Sequence, residues 1–140
     1  MSQGQDPADV YPVYLKAFSA GDIDATVACY ESQACFISKS GRAAHGTFEL
    51  RKLYRAMFSY KPHLKLEVRK IIQAGDDLAL VIVEWAWKAI LASGEIEALS
   101  GTATDVVRKQ ADGTWKLAID NPYASKNLRM QSKRSVGKGA

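Results

Sequence analysis

The spacing of apolar residues changes near Pro62, and this change constrains the fold more than any other feature of the chain. Before Pro62, apolar residues recur at intervals of three and four, which is typical of helices that bury one face. After it, Leu64, Leu66 and Val68 alternate with charged residues, which is typical of a half-buried strand. Helices followed by a run of strands predict an α+β protein.

Three helices are predicted in the first half. The first begins near Asp9 and buries one apolar face, formed by Val10, Val13, Tyr14, Ala17 and Phe18. Gly21 suits the left-handed end of that helix, and Asp22 can cap a short second helix that runs to about Tyr30. Thr47 can cap a third helix, whose apolar face contains Leu50, Leu53, Tyr54, Met57 and Phe58.

One short strand is predicted between the second and third helices, and four longer strands are predicted after the third. They cover residues 34–37, 64–69, 78–89, 95–109 and 114–121. Glycine-containing turns separate the last four at Gly75, Gly94 and Gly113. The strands therefore form a mostly antiparallel sheet, in which each strand pairs with the next along the chain.

Length and charge divide the chain unevenly. Its 140 residues suffice for one domain with a core of its own, predicted over residues 1–125. The net charge is +4, but five basic residues and no acidic residue follow Asp120. Residues 126–140 are therefore predicted to be a flexible basic tail. The remaining chain has a net charge near zero, so we expect no nucleic-acid partner.

Composition also bears on compartment and cofactors. No apolar run is long enough to span a membrane, and the first residues lack the pattern of a signal peptide. Cys29 and Cys35 do not have the spacing of a zinc site or a disulfide framework. We therefore expect a cytoplasmic protein with free thiols, no metal and no other cofactor.

Three stretches resemble the nuclear transport factor 2-like superfamily, and most closely its SnoaL-like and ketosteroid isomerase-like branches. They are AFSAGDIDATVACY at residues 17–30, HGTFELRKLY at 45–54 and TDVVRKQADGTWKL at 104–117. The resemblance implies a cone in which three helices close a curved sheet around a pocket, often in a dimer. That fold hosts isomerases, cyclases, hydrolases, binding proteins and association domains, so it does not define one function.

Tyr14 and Asp105 match the oxyanion-hole donors of the ketosteroid isomerases. The resemblance implies that a buried phenol and a neutral carboxylic acid stabilise a developing enolate. Tyr14 could instead be a core tyrosine, and Asp105 could pair with Arg108, Lys116 or a backbone donor.

The isomerases' general base is missing, because Ser38 occupies the matching position and a serine is a poor base at neutral pH. Asp120 is the best substitute, on the strand face opposite Trp115, Leu117 and Ile119. It could also be an ordinary carboxylate at the strand end.

The remaining candidates are ligand-binding residues, chosen for their apolar surface or their place beside Asp120. They are Phe18, Phe36, Phe58, Trp85, Trp87 and Asn121. The two tryptophans share one strand face and could form a wall against a flat ligand, or simply fill the core. His45 and His63 have no neighbours at metal-ligand spacing and are predicted to lie on the surface.

Three classes of function remain open. The first is an isomerase, cyclase or lyase that acts on a small, largely apolar carbonyl compound, with Asp105 or Asp120 as acid or base and Tyr14 as donor. The second is a small-molecule binder without catalysis, and the third is an association module. A homodimer is predicted in each case, because the strand from Leu78 has apolar residues on both faces.

Overall fold

The protein's structure, a computed structural model, describes residues 6–124. A 3-10 turn at Pro7–Asp9 leads into helices α1 (Val10–Ser19), α2 (Ile23–Val27) and α3 (Gly46–Phe58). The strands are β1 (Tyr30–Ile37), β2 (Ala43–His45), β3 (His63–Ala74), β4 (Leu78–Ile90), β5 (Ile96–Lys109) and β6 (Trp115–Asp120). Residues 126–140, the predicted tail, lie outside the described residues.

The first helical segment begins earlier than predicted. Asp6 caps it, since its Oδ1 accepts a hydrogen bond from the Ala8 N–H at 2.8 Å, while Asp9 Oδ2 accepts one from the Asp6 N–H at 3.1 Å. Asp9 is therefore the third residue of a capping box. It stands at the N-cap position of α1 as predicted, but its side chain makes no capping hydrogen bond to that helix. The end of α1 is confirmed, because Gly21 has a φ of 67° and Asp22 caps α2 through the Ala25 N–H.

Two other predicted boundaries move. α2 ends at Val27, and Tyr30 begins β1, because the backbone after α2 turns to pair with β6: the Leu117 N–H donates to the Cys29 carbonyl at 2.8 Å. Thr47 does not cap α3. That helix starts at Gly46, which has a φ of 78°, and Glu49 accepts a hydrogen bond from the His45 N–H.

The six strands form one sheet in the order β2-β1-β6-β5-β4-β3. β1 and β6 run parallel, and every other neighbouring pair is antiparallel. Three helices packed on a mostly antiparallel sheet confirm the predicted α+β class. The single parallel pair explains why β1 begins earlier than predicted, since β6 pairs with its first residue, Tyr30, as well as with Cys35 and Phe36.

The core lies between the helices and one face of the sheet. Leu50 and Tyr54 on α3 are fully buried there, against Val81, Val107 and Leu117 from the three central strands. Alternation places Leu80 and Ile82 on the other face, where they are only half-buried. Among residues 6–124, no helix has the length and hydropathy needed to cross a membrane.

Candidate functional site

A small cavity of about 70 Å³ lies inside the cone. Its walls are mostly aromatic and aliphatic, and five side chains with a phenol or carboxyl group line it: Tyr11 and Tyr14 from α1, Asp105 from β5, Asp120 from β6, and Tyr123 after β6. Few polar groups in an apolar cavity are typical of a small-molecule site. The volume suits a small ligand.

Most of the predicted site residues meet in this cavity. Tyr14, Asp105 and Asp120 line it, and so do Phe18, Phe36, Trp85 and Trp87. The two indole N–H groups are occupied elsewhere, since Trp85 donates to the Pro122 carbonyl at 2.8 Å and Trp87 to Glu97 at 3.1 Å. The tryptophans therefore present only their apolar surfaces to a ligand.

Two predicted ligand-binding residues do not line the cavity. Phe58 packs edge-on against Phe18, with ring centroids 5.1 Å apart, so it lies behind the wall instead of in it. The Asn121 side chain donates to the Thr104 hydroxyl at 3.2 Å. Only the Asn121 backbone serves the site, through its N–H.

Asp120 reaches the cavity because β6 is irregular. Val107 pairs with Leu117 and Val106 with Ile119, so Ala118 is an extra residue in β6. This bulge shifts the alternation by one position, which brings Leu117 and Asp120 to the same face. The prediction that they face opposite sides is therefore wrong, although Ile119 does point away and is 40% exposed.

Asp105 accepts two hydrogen bonds inside the protein. The Tyr11 hydroxyl donates to its Oδ2 at 2.7 Å, and the Asn121 N–H donates to its Oδ1 at 2.9 Å. Neither Arg108 nor Lys116 pairs with it; Arg108 bonds Glu31 instead. Sequence reasoning missed Tyr11, which lies three positions before Tyr14 on the same helix face. Tyr11 is buried on that face, whereas Val13, which was predicted to be buried, is 37% exposed.

Three tyrosines and Asp120 form a continuous hydrogen-bond chain, hereafter the phenol chain. The Tyr14 and Tyr54 hydroxyl oxygens are 2.7 Å apart, those of Tyr54 and Tyr30 are 2.5 Å apart, and Tyr30 donates to Asp120 Oδ2 at 2.5 Å. Tyr14 lines the cavity, whereas Tyr30 and Tyr54 lie behind it. Tyr54 was predicted only as a core residue, and the role of Tyr30 was missed because it was placed at a helix end.

Burial raises the pKa of both carboxyl groups. The pKa of Asp105 rises to about 6, held down by the hydrogen bonds from Tyr11 and Asn121. The pKa of Asp120 rises well above its ordinary value, first through burial and then through the charge on Asp105. The charge on Asp105 thus favours the protonated form of Asp120, and Asp105 is the member of the pair that ionises first as the pH rises.

The tyrosine hydroxyls stay protonated. Burial raises the pKa of Tyr14, Tyr30 and Tyr54 well above the ordinary value, and any negative charge on the neighbouring Asp120 raises it further. Each hydroxyl can therefore donate one hydrogen bond and accept others.

The other candidates lie away from this cavity. Ser38 follows β1 in a turn, where its hydroxyl is 3.0 Å from that of Ser40, and it does not line the cavity. His45 and His63 are exposed, as predicted. Between residues 6 and 124 no group of three or more His, Cys, Asp or Glu side chains is placed to hold a metal.

A helix-closed curved sheet around a small cavity is a nuclear transport factor 2-like fold of the α+β class. Within that class the chain belongs to the SnoaL-like domain family, whose model matches residues 13–118. No curated protein matches the sequence.

Solved structures agree on the fold. A ketosteroid isomerase-like protein from Erwinia carotovora atroseptica is 25% identical with a TM-score of 0.73, covering 81% of this chain and 89% of that one. A protein from Xanthomonas campestris, named for a calcium/calmodulin dependent protein kinase II association domain, is 16% identical with a TM-score of 0.72, covering 81% of each chain. A nuclear transport factor 2-like superfamily protein from Salmonella enterica is 18% identical with a TM-score of 0.69, covering 81% and 84%.

Proposed function

We propose that the protein binds a small, largely apolar carbonyl compound in the cavity and catalyses proton transfer on it, as an isomerase, cyclase or lyase would. The observation that carries this proposal is the pair of buried carboxyl groups, Asp105 and Asp120, on one wall of an apolar cavity. Two titratable groups whose surroundings separate their pKa values are suited to act as base and acid.

The proposed roles follow from the protonation states. Asp105, ionised and with a pKa of about 6, removes a proton from the carbon beside the carbonyl. Asp120 gives its proton to the carbonyl oxygen, so that charge does not accumulate in the apolar cavity. Trp85 and Trp87 hold the apolar body of the ligand. These two proton transfers convert the carbonyl compound to its enol. The reaction is completed when a proton returns to a different carbon or when a neighbouring group is eliminated.

Deuterium exchange tests this proposal directly. A panel of small ketones in D₂O, followed by proton NMR, should lose signal from the hydrogens beside the carbonyl when the protein is present. Asp105→Asn and Asp120→Asn should each slow the exchange by roughly 10²-fold or more. Asp112→Asn is the matched control, because Asp112 lies in an exposed turn. Exchange no faster than in buffer, or equal in all variants, would exclude catalysis on these ketones.

A second candidate is a small-molecule binder without catalysis. The observation that favours it is the saturation of Asp105, whose two oxygens already accept hydrogen bonds from Tyr11 and Asn121. A carboxylate whose two oxygens both accept hydrogen bonds can hold the site together without taking part in proton transfer. Quenching of tryptophan fluorescence by ketones, with no deuterium exchange, would support this candidate.

We also propose that the protein is a homodimer formed through the outer face of the sheet. Leu80, Ile82, Val106 and Ile119 form an apolar surface there, and the helices cover only the opposite face. Exposed apolar surfaces of this kind commonly mark interfaces. A neighbour in structure is named for an association domain, which is consistent with assembly. We also propose the cytoplasmic location that the sequence predicts.

A further inference from the structure

The cavity has a deep end and an outer end, and the pairing of β4 with β5 gives the order of residues between them. Asp105, only 3% exposed, pairs with Val81 at the deep end. Trp85 pairs with Gly101, four positions along β5 from Asp105, which corresponds to about 13 Å of strand. Trp87, two positions beyond Trp85, is half-buried and marks the outer end. The carboxyl groups therefore lie at the end that is farther from solvent.

The chain that follows β6 forms one wall of the cavity beside Trp85. The Thr104 N–H donates to the Asn121 carbonyl at 3.1 Å, and the Trp85 indole N–H donates to the Pro122 carbonyl at 2.8 Å. Tyr123 comes next and lines the cavity, with its ring edge-on to Trp85 and the two ring centroids 5.3 Å apart. Residues 121–123 are thus attached to both β4 and β5, so the Tyr123 ring is held in place before a ligand binds.

The three tyrosines that line the cavity differ in what their hydroxyl groups contact. The Tyr11 hydroxyl donates to Asp105, and the Tyr14 hydroxyl shares a hydrogen bond with Tyr54. No group within residues 6–124 makes a hydrogen bond with the Tyr123 hydroxyl. A phenylalanine ring would pack equally well at this position, so packing does not account for the hydroxyl. It is therefore available to a ligand.

The outer end offers a ligand few other polar partners. The Trp87 indole N–H already donates to Glu97 at 3.1 Å. Leu64 and Leu66, the half-buried residues that β3 contributes there, are apolar. A phenol hydroxyl can both donate and accept a hydrogen bond, so Tyr123 suits either a hydroxyl or a carbonyl oxygen. Sequence reasoning missed Tyr123, because it follows the last strand and belongs to no periodic pattern.

We propose that Tyr123 is a specificity-determining residue, whose hydroxyl binds a second oxygen atom of the ligand at the outer end of the cavity. The preferred ligands are small compounds with a carbonyl group at one end and a hydroxyl or second carbonyl group at the other. Val83 and Ala103 lie between the two ends, so the part of the ligand between its oxygens is hydrocarbon. This inference rests on the proposed function for the carbonyl ligand in the cavity, and not on catalysis.

Cyclohexanone and 4-hydroxycyclohexanone test the inference, because they share a ring and a carbonyl group and only the second has an oxygen at the opposite end. Protein-observed NMR titrations of the full chain give both affinities. The wild type should bind the hydroxyketone about fivefold more tightly, the usual effect of one neutral hydrogen bond. Tyr123→Phe should bind both compounds equally and retain its cyclohexanone affinity, since the ring remains. Tyr60→Phe, at a site 44% exposed after α3, is the matched control.

Three outcomes would overturn the inference. The first is a wild type that binds neither compound or does not prefer the hydroxyketone. The second is a preference of the same size in Tyr123→Phe and the wild type. The third is an equal loss of affinity for both compounds in Tyr123→Phe, which would assign the hydroxyl a role in the structure of the wall alone. A second probe, 1,4-cyclohexanedione, should behave as the hydroxyketone does, because the phenol can donate to its far carbonyl.

The inference and the proposed function fail in different ways. Absence of deuterium exchange on either ketone, with the Tyr123→Phe effect on affinity present, would exclude catalysis and leave the inference intact. Exchange that depends on Asp105 and Asp120, with an unchanged affinity ratio in Tyr123→Phe, would exclude the inference and leave the proposed function intact. If both hold, Tyr123→Phe should raise KM for exchange of the hydroxyketone about fivefold and leave kcat unchanged.

Discussion

The Tyr30 hydroxyl donates to Asp120 Oδ2 across 2.5 Å, although the two residues are 90 positions apart in the chain. Tyr30 begins β1, and Asp120 ends β6, the parallel neighbour of β1. This contact connects the carboxyl pair to Tyr54 and Tyr14. The pairing of β1 with β6 thereby joins a carboxyl group of the cavity to the buried tyrosines of α1 and α3.

Removal of the Tyr30 hydroxyl should destabilise the protein. Tyr30→Phe removes the phenol hydroxyl that contacts Asp120 and one of the two hydroxyl partners of Tyr54, both in the buried interior. We expect the free energy of unfolding to fall by about 1–3 kcal/mol, which is the usual effect of unsatisfied buried polar groups. Urea denaturation measures it. Tyr60→Phe is the control and should change little, so equal values for the two variants would contradict the prediction.

The stability should decrease as the pH rises through the titration of Asp105. Its pKa is about 6 in the folded protein and near 3.8 in the unfolded chain, so between these values the folded state binds more protons. The stabilisation is complete below the lower value and lost above the higher one, and it amounts to about 2–3 kcal/mol. Urea denaturation at about pH 4 and about pH 8 measures the change. Asp120, whose pKa is also raised, contributes a decrease of the same sign, so Asp105→Asn should make the change smaller without abolishing it. Equal pH profiles for the two proteins would refute the assignment.

Gly101 controls the position of Trp85. The two residues are paired across β5 and β4, and a Cβ at Gly101 would lie 3.0 Å from the Trp85 ring. We expect Gly101→Ala to push the indole into the cavity, and to weaken cyclohexanone binding by about tenfold at a cost of roughly 1 kcal/mol in stability. Ser100→Ala, one position away on the opposite face, is the control. Unaltered binding in Gly101→Ala would show that Trp85 does not bound the ligand site.

The proposed dimer should be sensitive to charge on the outer face of the sheet. Ile119→Lys places an ammonium group in the proposed apolar interface and should shift the protein to monomers in sedimentation velocity runs at micromolar concentration. Because Ile119 is 40% exposed in a single chain, the monomer should remain folded. Phe48→Lys on α3, 78% exposed and away from that face, should sediment as the wild type does. A wild-type monomer of 15.3 kDa would exclude the dimer.

Efficient isomerisation of ketosteroids is not expected. The cavity of about 70 Å³ is small for a steroid, and Ser38, which matches the isomerases' base in sequence, does not line it. Ser38→Asp should therefore remain without activity on a β,γ-unsaturated ketosteroid, assayed by ultraviolet absorbance. Turnover in the wild type would contradict the prediction, and turnover that appears only in Ser38→Asp would show that residue 38 reaches the ligand. Asp112→Asn serves again as the control.

Many individual site residues could be predicted from the sequence, but the hydrogen bonds and packing contacts between them could not. Tyr14 and Asp105 were identified through motifs close to them in the chain, and both line the cavity. Tyr11 was overlooked because the predicted buried face of α1 contained Val13. In the structure the helix is turned so that Tyr11 is buried and Val13 is exposed. Phe58 and Asn121 were assigned to the cavity although Phe18 and Thr104 engage them elsewhere.

The sequence by itself determined the fold class, because local patterns specify it: intervals of three and four before Pro62, alternation after it, and glycines such as Gly21 at the turns. Only the tertiary structure decided which side chains share the cavity. The extra residue at Ala118 reverses the alternation of β6 and buries Asp120, and the parallel pairing of β1 with β6 brings Tyr30 to it. Bulges and non-local strand pairing depend on the packing of the whole sheet, so no local pattern predicts them.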